Sequence, residues 1–379
     1  MRICLVYDCL YPHTVGGAER WYRALAERLA EAGHDVSYLT LRQWPRGTDP
    51  GVEDVNVVAV GPRMQLYDEA RRRILPPLVF GFGVFAHLLR RGHRYDVVHT
   101  ASFPYFSLLA AAAARPLGRY RLFVDWHEVW TRAYWRDYLG RAGGGIGWRI
   151  QQLCIGVRQR AFCFSHLHER RLRELGLRGE LTVLEGEYAG HAAGRDPEPA
   201  APLVVFAGRH IPEKRAPAVV DAVARARARL PELRGQIFGD GPDRSEVLRR
   251  IAELGVDHDV VAPGFAPADE VEAALRKALC LLLPSRREGY GLVVVEAAAR
   301  GTPSIVVRDP DNAATELIEE GSNGFVADSA DPDALADAIL RVHEAGLPLR
   351  QRTAVWFRAN ARRLSLENSL ETILAAYES

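Results

Sequence analysis

Short apolar runs alternate with amphipathic stretches along the chain, stop at a proline-rich segment, and then begin again. "RICLVY" (2–7) is a strand. "GAERWYRALAERLAEAGH" (17–34) sets Trp21, Leu25, Leu29 and Ala32 at helical spacing and stops at Gly33. Strands follow at 35–41, 55–60, 96–100 and 121–125, with helical stretches near 68–92, 104–114 and 148–175. The strands lack polar alternation, which fits a parallel sheet covered by helices on both faces. "GRDPEPAAP" (194–202) has no periodicity and reads as a linker. The pattern then restarts: strands at 203–208, 234–241, 279–285, 304–308 and 323–327, with helices at 214–230 and 243–254. A chain of 379 residues is too long for one ordinary core. The expectation is an α/β protein of two Rossmann-like, doubly wound domains, 1–195 and 200–363. Helices at about 332–345, 348–363 and 366–378 close the chain. The last must bury an apolar face, and 364–379 is expected to return to the first domain.

Charge narrows the partners. The net charge of +1 argues against a general nucleic-acid binder. Residues 1–195 carry 27 basic against 19 acidic residues, and 196–379 carry 22 against 29, so the halves differ in sign. Only Lys214 and Lys277 are lysines, which makes each worth inspecting. Cys4, Cys9, Cys154, Cys163 and Cys280 show no metal-ligand spacing and read as buried thiols in a reducing cytoplasm. "MRICLVYD" enters a strand at once, with no room for a signal peptide. No run approaches the ~20 apolar residues that span a bilayer. "RRRILPPLVFGFGVFAHLLRR" (71–91) is apolar with basic flanks; it is either a core helix or a peripheral contact with anionic lipid at the inner membrane face. The oligomeric state is left open.

Ligands of open parallel sheets bind beyond the carboxyl ends of strands. Four loops there carry unusual residues. "DCLYPHTVGGAER" (8–20) ends in Gly16-Gly17 before a helix, either a flexible turn or a place where backbone approaches an anion. "GRHIPEKR" (208–215) holds Arg209 and Lys214, five positions apart, suited to one diphosphate if they are not simply two solvated charges. "FGDGPD" (238–243) carries Asp240 in a turn that needs no ligand to exist. "SRREGYGLVVVEAAARGTP" (285–303) places Glu288 on a loop and Glu296 eight positions on, on a helix among apolar neighbours. Gly289 and Gly291 bare backbone amides between them.

"EGYGLVVVE" resembles the E-x7-E motif of retaining, family-4 type glycosyltransferases of the GT-B fold. "GGAER", "GRHIPEK", "GDGPD", "EGYGLVVVEAAARGTPSIVV" and "NGFV" follow in that family's order over nearly the whole chain. The resemblance implies two domains facing a cleft, a nucleotide-diphosphate sugar held mainly by the second, and transfer to a hydroxyl of a glycan, lipid-linked sugar or small metabolite. It implies that Arg209 and Lys214 bind the diphosphate, Glu296 the ribose, and Glu288 with the backbone of Gly289, Tyr290, Gly291 and Leu292 the sugar and distal phosphate. Asp240 is a further candidate donor contact. Gly16 and Gly17 would close over the phosphate, Phe265 would lie by the base, and His127 near the reacting sugar. His13, Trp126 and Trp130 are candidate acceptor contacts; for Trp126, Trp130, Tyr134 and Trp135 the sequence fits stacking on an acceptor sugar and filling a core equally well. No cofactor and no metal are expected: two cations serve the diphosphate, and "DPD" (309–311) reads as a turn. The loop "VRDPDNAATELI" (307–318) departs from the family by lacking Gly-Gly, which puts donor contacts near Asn312 in doubt.

Three rivals use the same residues differently. A nicotinamide dehydrogenase is suggested by "GFGVFA" (81–86), which follows "LPP" rather than a clean strand. A nucleotide-sugar epimerase would act on donor alone, without acceptor. A non-catalytic sugar-nucleotide binder has no need of both glutamates with the Arg/Lys pair.

Overall fold

A computed structural model describes residues 1–68, 71–191 and 197–379. The chain divides into two compact units, Met1–Leu184 with Ser369–Ser379, and Glu185–Asn368. The first three residues of the expected linker lie outside the described residues.

The first unit is built on seven parallel strands: β1 (Arg2–Val6), β2 (Asp35–Leu41), β3 (Asn56–Gly61), β4 (Val97–Ala101), β5 (Arg121–Trp126), β6 (Gln159–Cys163) and β7 (Gly179–Val183). Their order is β3-β2-β1-β4-β5-β6-β7. Apolar runs become central strands because both faces are covered; β1 and β4 are buried almost throughout. The helices are α1 (Gly17–Glu31), α2 (Leu75–Arg91), α3 (Tyr105–Gly118), α4 (Arg132–Ile155) and α5 (His166–Glu174). Gly33, at φ +81°, supplies the left-handed residue that ends α1.

One sequence expectation changes here, and one rival reading is removed. The helical stretch 148–175 is broken by β6, whose five residues "QRAFC" are too few to reveal a period. "GFGVFA" lies inside α2 rather than at a strand-to-helix turn. A Cβ at Gly81 or Gly83 would collide with Phe106 or with the Val60 carbonyl. These glycines serve close packing, and the dinucleotide reading falls.

The terminal segment is tied down by a buried polar chain. The Tyr377 hydroxyl donates to His99 Nδ1 at 2.5 Å, and His99 Nε2 donates to Asp125 at 2.8 Å. Trp21 Nε1 donates to the other Asp125 oxygen at 2.8 Å. Tyr377, His99 and Asp125 are fully buried. Burial by itself raises the Asp125 carboxyl, but electrostatic attraction to His99 and its hydrogen bond, helped by His127 and Trp21, outweigh it and hold it below the usual range.

The second unit repeats the plan with six strands: β8 (Leu203–Ala207), β9 (Arg234–Phe238), β10 (Val260–Gly264), β11 (Cys280–Leu283), β12 (Ser304–Val307) and β13 (Gly324–Ala327), in the order β10-β9-β8-β11-β12-β13. Around them run α6 (Ala216–Ala226), α7 (Arg244–Leu254), α8 (Ala268–Lys277), α9 (Leu292–Ala298) and α10 (Pro332–Leu364); α11 (Leu366–Glu378) follows. The two helices expected at 332–345 and 348–363 meet at Gly346, whose φ of +52° and ψ of −146° are not helical. Strand order reverses at β1/β4 in one unit and at β8/β11 in the other. Those are the switch points where such sheets hold ligands.

Candidate functional site

In the second unit, the loops leaving β8 and β11 lie side by side because their strands are neighbours. The first carries Arg209 and Lys214, and the second carries Glu288. Lys214 Nζ donates to Glu288 Oε1 at 2.5 Å, and Ser285 Oγ donates to the same oxygen at 2.7 Å. Glu288 is 6% exposed. Its Oε2 receives no hydrogen bond from the described residues, so that oxygen is open to a ligand hydroxyl. Arg209 is exposed and pairs with no described residue. A cation without a counter-ion at a switch point is a ready partner for phosphate.

Backbone stitching fixes this arrangement. Arg287 and Glu288 pair in register with Asp311 and Asn312. Asn312 Nδ2 donates to the carbonyls of Ser285 (3.1 Å) and Val307 (2.8 Å). The Arg286 amide donates to the Glu213 carbonyl at 2.8 Å, and Arg215 pairs with Asp309 at 3.5 Å. Asp309, part of the DPD turn, is thus spent on an arginine. The loop without Gly-Gly therefore supports the Glu288 strand through Asn312. Neither Ser285 nor Asn312 was singled out as a site residue from sequence.

The "GDG" turn has a bracing role. A side chain at Gly239 or Gly241 would collide with the Gly208 or His210 carbonyl, and both glycines have positive φ. The His210 amide donates to the Asp240 carbonyl at 2.8 Å, so the turn props the Arg209 loop. The Asp240 carboxylate is exposed and accepts from the Gly241 amide at 2.7 Å. Phe265 is 72% exposed just beyond β10. Gly291, at φ +104°, packs so closely on Ala314 that any side chain would clash. Gly289 and Leu292 are half-buried, as is Glu296 on α9. The Tyr290 side chain turns away: it is 7% exposed and its hydroxyl donates to the Glu185 carbonyl at 2.6 Å, which leaves only its backbone for a ligand.

In the first unit, Gly16 precedes α1 in extended conformation and Gly17 begins the helix with open space around it. A side chain at Gly16 would strike the Glu19 carboxylate, so an acid already stands at this helix start. His13 is exposed, with Nε2 3.3 Å from the Pro50 carbonyl. His127 follows β5 at the carboxyl edge and stacks on Phe164 at 4.5 Å. Burial is the main cause lowering its pKa, against Asp125 and Glu128, which favours the neutral imidazole at neutral pH.

One acceptor expectation is corrected. Trp126 is fully buried and donates Nε1 to Gln159, so it is core. Tyr134 and Trp135 are 4% exposed and are core as well. Trp130 stays half-exposed. The buried amide of Gln151 holds its backbone on both sides, accepting from the Trp130 amide and donating to its carbonyl.

Comparison with known proteins places this geometry in a family. The model described as "Glycosyl transferases group 1" matches residues 195–362, and that described as "Glycosyl transferase 4-like domain" matches 16–186. The chain is 34% identical to D-inositol 3-phosphate glycosyltransferase of Nocardioides sp. over 48% of its own length. It spans 42%, 37% and 40% of the lengths of this and two other curated relatives. It is 26% identical to glycogen synthase of Mycobacterium tuberculosis over 99% of this chain and 93% of that one. Among solved structures, sucrose-phosphate synthase from Thermosynechococcus elongatus superposes at TM-score 0.79 with 19% identity, covering 100% of this chain and 98% of that one. Anabaena HepE in complex with UDP and glucose gives 0.74 with 19% identity and full coverage of both chains. The matched segments together reach from residue 16 to residue 362, and with the switch-point site they identify the chain as a glycosyl transferase of group 1, the family-4 type with the GT-B fold.

Proposed function

We propose that the protein moves a sugar from a nucleotide-diphosphate sugar to an acceptor hydroxyl with retention of anomeric configuration and without a metal. The observation that carries this reading is Arg209, exposed and without a partner among the described residues, on the same loop as Lys214, which pairs with Glu288 of the neighbouring loop. The bond from the anomeric carbon to the diphosphate oxygen breaks as the acceptor oxygen bonds that carbon on the same face. Negative charge grows on the leaving diphosphate, where Arg209 and Lys214 meet it. The acceptor's proton passes to a leaving phosphate oxygen. Glu288 Oε2 receives sugar hydroxyls, Glu296 the ribose and Phe265 the base. The backbone of Gly289 to Leu292 faces the distal phosphate. Gly16 and Gly17 approach the phosphates, and neutral His127 serves the reacting sugar. The solved Anabaena relative binds UDP and glucose, which supports a nucleotide donor.

A thermal-shift screen of nucleotide sugars tests the donor. A true donor at 100 times its dissociation constant adds about 2.7 kcal/mol of stability. Turnover of that donor without acceptor would favour the epimerase instead.

A peripheral membrane contact belongs to the same proposal. Among the described residues no helix is long and apolar enough to cross a membrane. The face of α2 nevertheless exposes Leu75 (61%), Leu78 (43%), Phe82 (73%) and Leu89 (41%), one stripe at helical spacing that ends at Arg90 and Arg91. Such a face fits the surface of an anionic bilayer. The protein is expected to sediment with vesicles containing phosphatidylglycerol. Leu78→Asp/Phe82→Asp should leave it in the supernatant; equal sedimentation of both proteins would remove α2 from the contact.

A further inference from the structure

The carboxyl ends of β2 and β3 carry a second concentration of charge, in the first unit. A cavity of about 340 Å³ opens there, lined by Arg42, Trp44, Pro45, Arg46, Pro62 and Arg63. Three of these six are arginines and none is acidic. None of the three pairs with a carboxylate among the described residues. Other arginines of this unit do find one: Arg23 meets Glu27, Arg72 meets Asp8, and Arg173 meets Glu169.

Backbone bonds and side-chain contacts frame the cavity. The Arg42 amide donates to the Gly61 carbonyl at 3.1 Å, joining the ends of the two strands. Its guanidinium lies 5.7 Å from the centre of the Trp44 ring, and Trp44 is 5% exposed. Arg46 and Arg63 each follow a proline, in "WPR" and "GPR", where the ring limits the backbone. Gln43 lies between the lining residues and clamps the glycine-bearing loop. It accepts from the Leu10 amide (2.9 Å) and the Thr14 hydroxyl (2.7 Å), and donates to the Asp8 carbonyl (2.9 Å). The cavity is thus built into the same edge of the sheet as the loop that ends at Gly16.

Arg46 and Arg63 are exposed and Arg42 is half-buried, so three guanidinium groups that line one cavity are accessible to an anion. Their planar forks match phosphate or carboxylate oxygens in pairs. A phosphoryl group brings nearly two charges and three acceptor oxygens, enough to engage three arginines. One carboxylate would leave positive charge uncompensated. We infer that this cavity binds a phosphoryl group, and that the group belongs to the acceptor: the hydroxyl compound to be glycosylated is a phosphate ester. The acceptor role rests on the transferase reading given above. The phosphoryl group can come from a soluble ester or from a phospholipid headgroup.

The full chain is titrated calorimetrically with glycerol phosphate, with a saturating nucleoside diphosphate present to occupy the donor cations. In parallel it is sedimented with phosphatidylcholine vesicles with and without phosphatidic acid. Each arginine lost should weaken binding about tenfold, so Arg46→Gln/Arg63→Gln should bind roughly a hundredfold less well. Added salt should weaken the wild type as well. Arg42→Lys keeps the charge but loses the fork and should fall between the two. Binding of glycerol phosphate identifies a soluble ester; sedimentation that depends on phosphatidic acid identifies a headgroup. Both support the inference if the double variant loses them. Equal binding by wild type and double variant, or binding of neither probe by the wild type, overturns it. If the nucleoside diphosphate itself does not bind, the transferase reading and the acceptor role fail together, while the phosphoryl site is still decided by the arginine variants.

Discussion

Lys214→Ala is expected to lower kcat/KM for glycosyl transfer by about 10²–10³-fold, the usual consequence of removing one preorganised group that meets charge in the transition state. Lys214 stands beside a carboxylate that is 6% exposed, so the ammonium does two jobs in one place. It neutralises Glu288 in the free protein, and under the proposed function it would face the diphosphate when donor is bound. Removing it leaves Glu288 with the Ser285 hydroxyl as its remaining side-chain donor among the described residues. A carboxylate that loses its cation binds an anionic donor less readily, so KM should rise along with the fall in kcat. Lys214→Ala/Glu288→Gln should therefore regain part of the loss in binding without regaining turnover, a non-additivity expected of groups in contact. Steady-state kinetics of the two single variants and the double variant checks this. Wild-type rates in Lys214→Ala would remove the residue from the site.

The second large effect falls on stability. Asp125→Ala removes the acceptor shared by His99 and Trp21 in a fully buried site and leaves both donors unanswered. Breaking such a buried pair costs about 3–5 kcal/mol, or roughly 10 °C in the transition of a unit of this size. Tyr377→Phe removes the outer link of the same chain and should cost about 1–3 kcal/mol. The pH dependence has a definite sign. The Asp125 pKa is depressed in the folded state, so its contribution is complete above the ordinary aspartate range and is lost as pH falls through the folded value. Differential scanning calorimetry from neutral to acid pH should therefore show the wild type and Asp125→Ala converging in acid. A melting difference that stays constant, or no difference at neutral pH, would contradict the assignment.

The sequence carried the switch-point loops because strand, loop and helix follow one another within a few residues. Arg209, Lys214 and Glu288 all occupy such loops, and their neighbourhood follows from β8 lying against β11. Less of the supporting structure was legible. Asn312 holds Ser285 across a separation of 27 residues, and Tyr377 reaches His99 across 278, distances over which no local pattern operates. Trp126 illustrates a different limit. In a strand covered on both faces, position along the strand does not tell a ligand-facing ring from a core one, and only its bond to Gln159 decides. The strand β6 was hidden because five residues are as compatible with a helix as with a strand. The glycines of "GDG" were visible, but that they prop the Arg209 loop depends on a contact between separate strand ends.

The most direct test of a donor site built on the β8 loop is calorimetric titration of the wild type and Arg209→Ala with a nucleoside diphosphate. Arg209 is exposed and holds no protein partner among the described residues, so its loss should leave folding untouched. The account predicts saturable one-to-one binding by the wild type, weakened at least about tenfold in the variant by the loss of a charged contact. Equal affinity in the two proteins, or no binding by either, would contradict it.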